Sequence, residues 1–239
     1  MTHRCGRNAL LAVVVGLLAL SSTGAVRASR PTRQLIGRSV QGRPIYAFER
    51  GQGGGRPVLV VGCIDGDELA GIAIVDRLKQ LPLPAGVELW LVPVLNPDGV
   101  AAQTLGNARG VDLNRNFPYR WRDLDGSGTF ASGSHALSEP ESRAAFSLIN
   151  RIKPRLSIWF HQPLAAIDDS QGSRGLERKF ARLVGLPAAA LTDYPGSATN
   201  WQSHRFPAAT AFVTELPAGA LTARQATRYA EAVLAIAKT

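Results

Sequence analysis

A chain of 239 residues, 45% hydrophobic and carrying a formal net charge of +9, is long enough to bury one sizeable core and short for two ordinary domains. Its two cysteines, Cys5 and Cys63, exclude a scaffold stapled by several disulfides. The basic residues are scattered and no basic run interleaves with aromatics as a nucleic-acid groove requires, so no nucleic-acid partner is expected.

Arg4 and Arg7 precede an apolar run over 9–20, and a small-residue segment ends in Val26-Arg27-Ala28. This pattern predicts a secretory signal peptide over residues 1–28, cleaved after Ala28, with a retained N-terminal anchor as the alternative. The run is short for a membrane span, so the mature chain is expected to be secreted or extracytoplasmic, with no stable membrane association. Cys5 leaves with that segment, so Cys63 remains alone and no internal disulfide forms. The net charge of the remainder falls to +6, which draws an exported protein toward polyanions such as cell-wall polymers or acidic peptides.

Residues 29–43 read as a polar, extended lead-in, and 44–239 as a single domain. Strand-like apolar runs fall at 44–48, 57–63, 87–94, 156–161 and 209–216. Helical patterns fit 69–79 and 175–184. Ser138-Glu-Pro-Glu141 carries the spacing of a capping box and opens a helix to about residue 151. Thr222-Ala-Arg-Gln225 repeats the device before a last helix with Ala226, Tyr229, Ala230, Val233, Leu234 and Ala237 on one face. Strands alternating with helices predict an α/β layer architecture. Gly51-Gln-Gly-Gly-Gly55 lies between two strand-like runs and opens no helix, so it reads as a hairpin loop. Asp123-Leu-Asp-Gly-Ser-Gly128 lacks the third acid and distal glutamate of a calcium loop and reads as a surface turn.

Ligands of α/β sheets gather beyond the carboxyl ends of strands. Asp65 and Glu68 follow one apolar run, His161 ends another, and Glu215 lies within a third; together they could form a metal site with a base beside it. Taken singly, each residue also has a structural reading: a satisfied buried histidine, an edge acid, a turn acid with a helix N-terminal charge.

The segment "NPDGVAAQTLGNARGVDLNRNFP" over 96–118, followed in order by "SEPES", "FHQP" and "TELP", resembles the zinc carboxypeptidase family, nearest its short bacterial branch that includes the murein peptide amidases. The resemblance spans roughly 57–217. It implies a zinc-carboxypeptidase-like fold, one mixed β-sheet flanked by helices. It also implies a metallocarboxypeptidase or peptide amidase that hydrolyses an amide next to a free carboxylate; together with the expected export and the basic charge, it makes cell-wall peptides the leading substrate class. The family's His-x-x-Glu and later His fall on Asp65, Glu68 and His161, which are the implied ligands of one Zn2+ ion. Glu215 matches the general base, and Asn114 and Arg115 match the pair gripping the substrate's carboxylate, a task suited to a guanidinium fork. The stretch from Tyr194 to Trp201 matches a pocket-shaping loop.

The chain departs from the family pattern at two positions. Asp65 stands where the first zinc-binding histidine is expected. An Asp oxygen has about the reach of an imidazole nitrogen, but a second carboxylate makes bound water less acidic. The arginine that polarises the scissile carbonyl falls on Leu105, so Arg109, four residues on, is the candidate replacement in the oxyanion role, with a solvated loop arginine as the alternative. Asp112 matches the acceptor for the missing imidazole, so two acids are expected to face each other, with a proton, a water or Arg109 between them. These departures sustain a second reading, a catalytically weak or inactive relative that binds peptide termini or wall fragments. Cys63 shares the Asp65 face by strand alternation and reads as a small buried hydrophobe.

Overall fold

The computed structural model describes residues 1–2, 31–51, 54–124, 130–170, 175–191 and 194–238. The signal-peptide reading falls almost wholly outside them, as do the centre of the Gly51–Gly55 loop and most of the Asp123–Gly128 turn.

Eight strands build one sheet: β1 (Thr32–Arg38), β2 (Pro44–Arg50), β3 (Arg56–Val61), β4 (Val87–Val92), β5 (Leu156–His161), β6 (Leu164–Asp168), β7 (Ala188–Ala189) and β8 (Thr210–Pro217). The helices are α1 (Ala70–Leu78), α2 (Pro97–Ala102), α3 (Pro140–Ile152), α4 (Gly175–Val184), α5 (Ala198–Arg205) and α6 (Ala223–Ala237). The spatial order is β1-β2-β4-β3-β5-β8-β6-β7. The central strands β4, β3, β5 and β8 run parallel, while β1–β2, β2–β4 and β6–β8 pair antiparallel. The sheet is therefore mixed, as the resemblance implies.

Both faces of the central strands are covered, so their sequences are continuous apolar runs rather than alternating ones. Every residue of β4 and β5 is buried. On one face α1, α4 and α6 pack over a core that includes Val58, Val60, Ile74, Phe180, Phe212 and Val233. On the other, α3 and α5 pack over Leu59, Val61, Leu148, Trp159 and Trp201. The Thr222–Gln225 capping box forms at the start of α6.

Two local expectations are corrected. Part of the 29–43 lead-in is an edge strand, β1, whose side chains are mostly exposed or half-buried, so hydrophobic patterning gave it no signal. The Ser138–Glu141 box does not form: Glu139 is the N-cap of α3 and makes no side-chain cap bond. Ser138 Oγ instead donates to Glu139 Oε1 at 2.8 Å, and Glu141 accepts from the Val40 N–H at 3.0 Å and from Asn107 at 3.2 Å. Long-range partners outbid the local ones.

The chain leaves β3 through α1 to reach β4 on one side, then later enters β5 on the other side of β3. Such a reversal opens a crevice beyond the carboxyl ends of the two strands. Asp65 follows β3 and His161 ends β5, so the topology itself brings them to one place.

Candidate active site

The loop after β3 is a tight turn in which the Glu68 N–H bonds to the Asp65 carbonyl at 3.1 Å. Gly66 is required within it: a Cβ there would lie 2.2 Å from the carbonyl carbon of Gly99. The turn aims both acids at His161. His161 Nδ1 lies 2.8 Å from Asp65 Oδ2 and 3.2 Å from Glu68 Oε2. Glu68 Oε2 also accepts from the Gln162 N–H at 2.8 Å. Glu215 is level with His161 across the β5–β8 pair, which places the two side chains on one face of neighbouring strands.

All four line a cavity of ≈ 470 Å³, together with Leu105, Asp112, Asn114, Arg115, Phe130, Asp168 and Tyr194. The electrostatics follow from crowding acids into it. The two neighbouring carboxylates hold the His161 imidazolium well above its ordinary value, against the opposing effect of burial. Burial pushes the Glu68 and Glu215 carboxyls upward, with nearby acids adding to the shift and His161 opposing it. Asp112 is pushed up to about 7, first by burial and next by the charge of Asp65, while Arg115 and the Asn114 N–H oppose the rise. The expected confrontation of two acids is therefore present, and it is felt at Asp112, whose carboxyl the charge of Asp65 helps push upward. Burial and the same acids push the Cys63 thiol up to about 12, so it stays protonated; its Sγ contacts the Asp65 carbonyl oxygen at 3.2 Å.

Asn114 and Arg115 sit on a single 3-10 turn, Leu113–Arg115, whose cap is Asp112 Oδ1 accepting from the Asn114 N–H at 2.8 Å. Asn114 Oδ1 accepts from the Ala198 N–H at 3.0 Å, and its Nδ2 lies 3.3 Å from His161 Nε2. The Arg115 guanidinium stacks on the Tyr194 ring, 4.0 Å from its centroid, and lies 5.0 Å from that of Phe130. Its ion-pair partner is Asp112, at 3.7 Å. The 194–201 loop is laid onto this turn by Gly196, at φ 73°, where any Cβ would lie 2.1 Å from the Arg115 carbonyl oxygen. Tyr194 thereby reaches the cavity.

Arg109 does not join them. Its side chain is 56% exposed, pairs with Glu139 Oε2 at 3.3 Å and lines no part of the cavity. The oxyanion role expected of Arg109, and its bridging of Asp65 and Asp112, find no geometry here. Leu105, by contrast, lines the cavity. The sequence reading missed Phe130 and Asp168. Asp168 carries the same signal that singled out His161, a polar residue ending a short apolar run at a strand's carboxyl end.

The three facing donors of Asp65, Glu68 and His161 all lie within 4.8 Å of one another. Tetrahedral ligands about 2.0–2.2 Å from a shared ion stand roughly 3.3–3.6 Å apart; the 3.2 Å from His161 to Glu68 is near that range and the 2.8 Å to Asp65 is shorter. Asp65 Oδ1 is buried and has no hydrogen-bond partner among the described residues. An orphaned carboxylate oxygen beside an imidazole and a second carboxylate fits a divalent cation.

Comparison with known proteins decides the family. The zinc carboxypeptidase profile matches residues 82–167. Murein peptide amidase A of Escherichia coli (strain K12) is 32% identical over 185 residues, 72% of this chain and 76% of that relative. This chain belongs to the zinc carboxypeptidase family. A second family relative, murein peptide amidase A of Vibrio campbellii (strain ATCC BAA-1116), is 33% identical over 188 residues, 71% of this chain and 73% of that one. The crystal structure of murein-tripeptide amidase from Escherichia coli O157 shares the family fold with a TM-score of 0.70 at 27% identity, covering 87% of this chain and 92% of that one.

Proposed function

We propose that this protein is an exported, metal-dependent peptide hydrolase that cleaves an amide beside a free carboxylate, with cell-wall peptides as its substrate class. The observation that carries the reading is Arg115. It is a buried guanidinium lining the same cavity as the Asp65, Glu68 and His161 cluster, and its ion-pair partner among the described residues is an acid pushed up to about 7. A cation so placed accepts a carboxylate well. The similarity to murein peptide amidases supports a wall-peptide substrate, and the N-terminal sequence pattern supports export.

Asp65, Glu68 and His161 would hold one divalent ion, with zinc the family's metal and an oxygen-rich donor set that also suits a harder ion. Such an ion supplies Lewis-acid polarisation and a more acidic water. Arg115 and the Asn114 side-chain amide orient the substrate's terminal carboxylate. Glu215, with its carboxyl raised by burial above its ordinary value, takes a proton from the attacking water and returns it to the leaving amine. Fixing that geometry converts an encounter between molecules into a reaction within one complex.

A second reading has its own observation. Leu105 offers the cavity an apolar side chain where an oxyanion donor is expected, and Arg109 is held away by Glu139. Losing one such donor costs about 10²–10³ in rate, which favours a slow enzyme or a binding protein. Turnover and equilibrium binding of peptides with free or amidated C-termini separate the readings. Cleavage confined to free-acid peptides supports the hydrolase. Binding confined to them without cleavage supports the binder, and indifference to amidation contradicts both.

A further inference from the structure

Gln162 follows His161 at the end of β5, and the proposed chemistry gives its side chain no part. Its backbone N–H holds Glu68 Oε2; its side-chain amide makes a separate set of contacts. Oε1 accepts from the Ala70 N–H at 3.0 Å, while Nε2 donates to the carbonyls of Pro217 and Gly219, each at 2.8 Å. Reversing the amide would set its oxygen against two carbonyls and its N–H groups against another N–H, so these partners fix its orientation.

The start of a helix leaves N–H groups that must find partners outside it. Ala70 is the first residue of α1, and its N-cap, Leu69, makes no side-chain cap bond. Gln162, 92 positions away in the chain, caps α1 in its place. The bridge joins three segments that each carry a residue of the site: Glu68 lies two residues before Ala70, His161 directly precedes Gln162, and Glu215 lies two residues before Pro217. Two of these segments are already held by the sheet, since β5 and β8 pair in register through His161 and Glu215. Glu68 is not so held. Its strand, β3, ends at Val61, and the acid sits in the turn that follows. The side-chain amide of Gln162 therefore fastens the one segment outside the ladder to the two within it.

We propose that Gln162 is a positioning residue for the metal site: its side-chain amide clamps the Glu68 segment against β5 and β8, and so sets how tightly a divalent ion is held between Glu68, Asp65 and His161. The inference rests on the reading of that cluster as a metal site. Groups that orient a ligand govern metal affinity alongside the ligand itself. Reach matters as much as polarity. Glutamine touches α1 on one side and the exit of β8 on the other, a span that asparagine, one methylene shorter, does not cover.

The test measures the dissociation constant of Zn2+ by chelator competition for the unaltered protein, Gln162→Met, Gln162→Asn, Glu68→Ala and the double variant Gln162→Met with Glu68→Ala. Methionine matches the length of glutamine and loses its side-chain hydrogen bonds, while the backbone N–H that meets Glu68 stays in every variant. Gln162→Met is expected to weaken zinc binding by about ten- to a hundredfold, and Gln162→Asn to weaken it comparably. In the Glu68→Ala background the methionine change is expected to cost less than about twofold, because the clamp acts through Glu68. A merely structural role would weaken both backgrounds by the same factor, and that result overturns the proposal. So does zinc affinity unchanged in Gln162→Met and Gln162→Asn. If Gln162→Met fails to fold, Gln162→Asn carries the same comparison with and without Glu68. An unaltered protein that binds zinc with no effect of Gln162 sinks this assignment alone, whereas an unaltered protein that binds none removes the metal-site reading and this inference with it.

Discussion

Asp112→Asn isolates the cost of placing an acid next to Asp65. The Asp112 carboxyl is 2% exposed and is pushed from an ordinary 3.8 up to about 7. Because the folded-state value is the higher one, the folded protein keeps a proton that the unfolded chain releases between those limits. Stability is therefore fully present below about pH 4 and falls as pH rises toward 7, at about 1.4 kcal/mol per pH unit. Over the window this amounts to about 4 kcal/mol. Asparagine carries no charge, and its Oδ1 can still accept the Asn114 N–H, so the variant escapes the loss. For a domain of this size 1 kcal/mol moves Tm by about 2–4 °C, so Asp112→Asn should melt on the order of 10 °C higher at pH 7.5 and close to the unaltered protein at pH 4. The assay is a pair of circular-dichroism melts across that range in the presence of a chelator. Groups that do not interact with Asp112 titrate alike in both proteins and cancel in the difference. A constant offset at every pH would refute the reasoning, because it would mean Asp112 does not carry the linked proton.

Glu215→Gln should lower kcat by about 10²–10⁴ while leaving KM within a few-fold, since amide replaces carboxylate in the proton-transfer role with little change of shape; steady-state kinetics on a cleaved peptide read both. Arg115→Ala should lower kcat/KM chiefly through KM and make free-acid and amidated peptides alike, whereas an Arg115→Lys variant keeps the charge but loses the planar fork and the Tyr194 stack, so it recovers only part of the affinity. Arg109→Ala should leave turnover unchanged and alter stability by less than about 1 kcal/mol, as Glu139 keeps Asn107 and Ser138 as partners; a hundredfold fall in kcat would return Arg109 to the oxyanion role.

What the sequence made legible follows the range of the interactions involved. The 156–161 strand and the 175–184 helix were read with their observed bounds because burial on both faces, or on one stripe, writes itself into adjacent residues. β1 was invisible because an exposed edge strand has no apolar alternation, and β6 because it is short and its apolar residues include two alanines. Seven residues singled out from motif order converge on one cavity: Asp65, Glu68, Asn114, Arg115, His161, Tyr194 and Glu215. Arg109 does not, because its direction is set by Glu139, thirty residues away in the chain. No local pattern encodes that pairing. The same long-range competition dismantled the Ser138 capping box, while the Thr222 box, far from such partners, formed as written.

The central claim is that Asp65, Glu68 and His161 form a metal site despite the aspartate. Metal content of the purified protein, measured by elemental analysis after exhaustive dialysis against metal-free buffer, tests it most directly, with Asp65→Ala and Asp65→His alongside. The account predicts about one equivalent of a divalent metal in the unaltered protein, its loss in Asp65→Ala and its retention in Asp65→His. A folded, unaltered protein that holds no metal and takes none up from solution, while Asp65→His binds one equivalent, would contradict it.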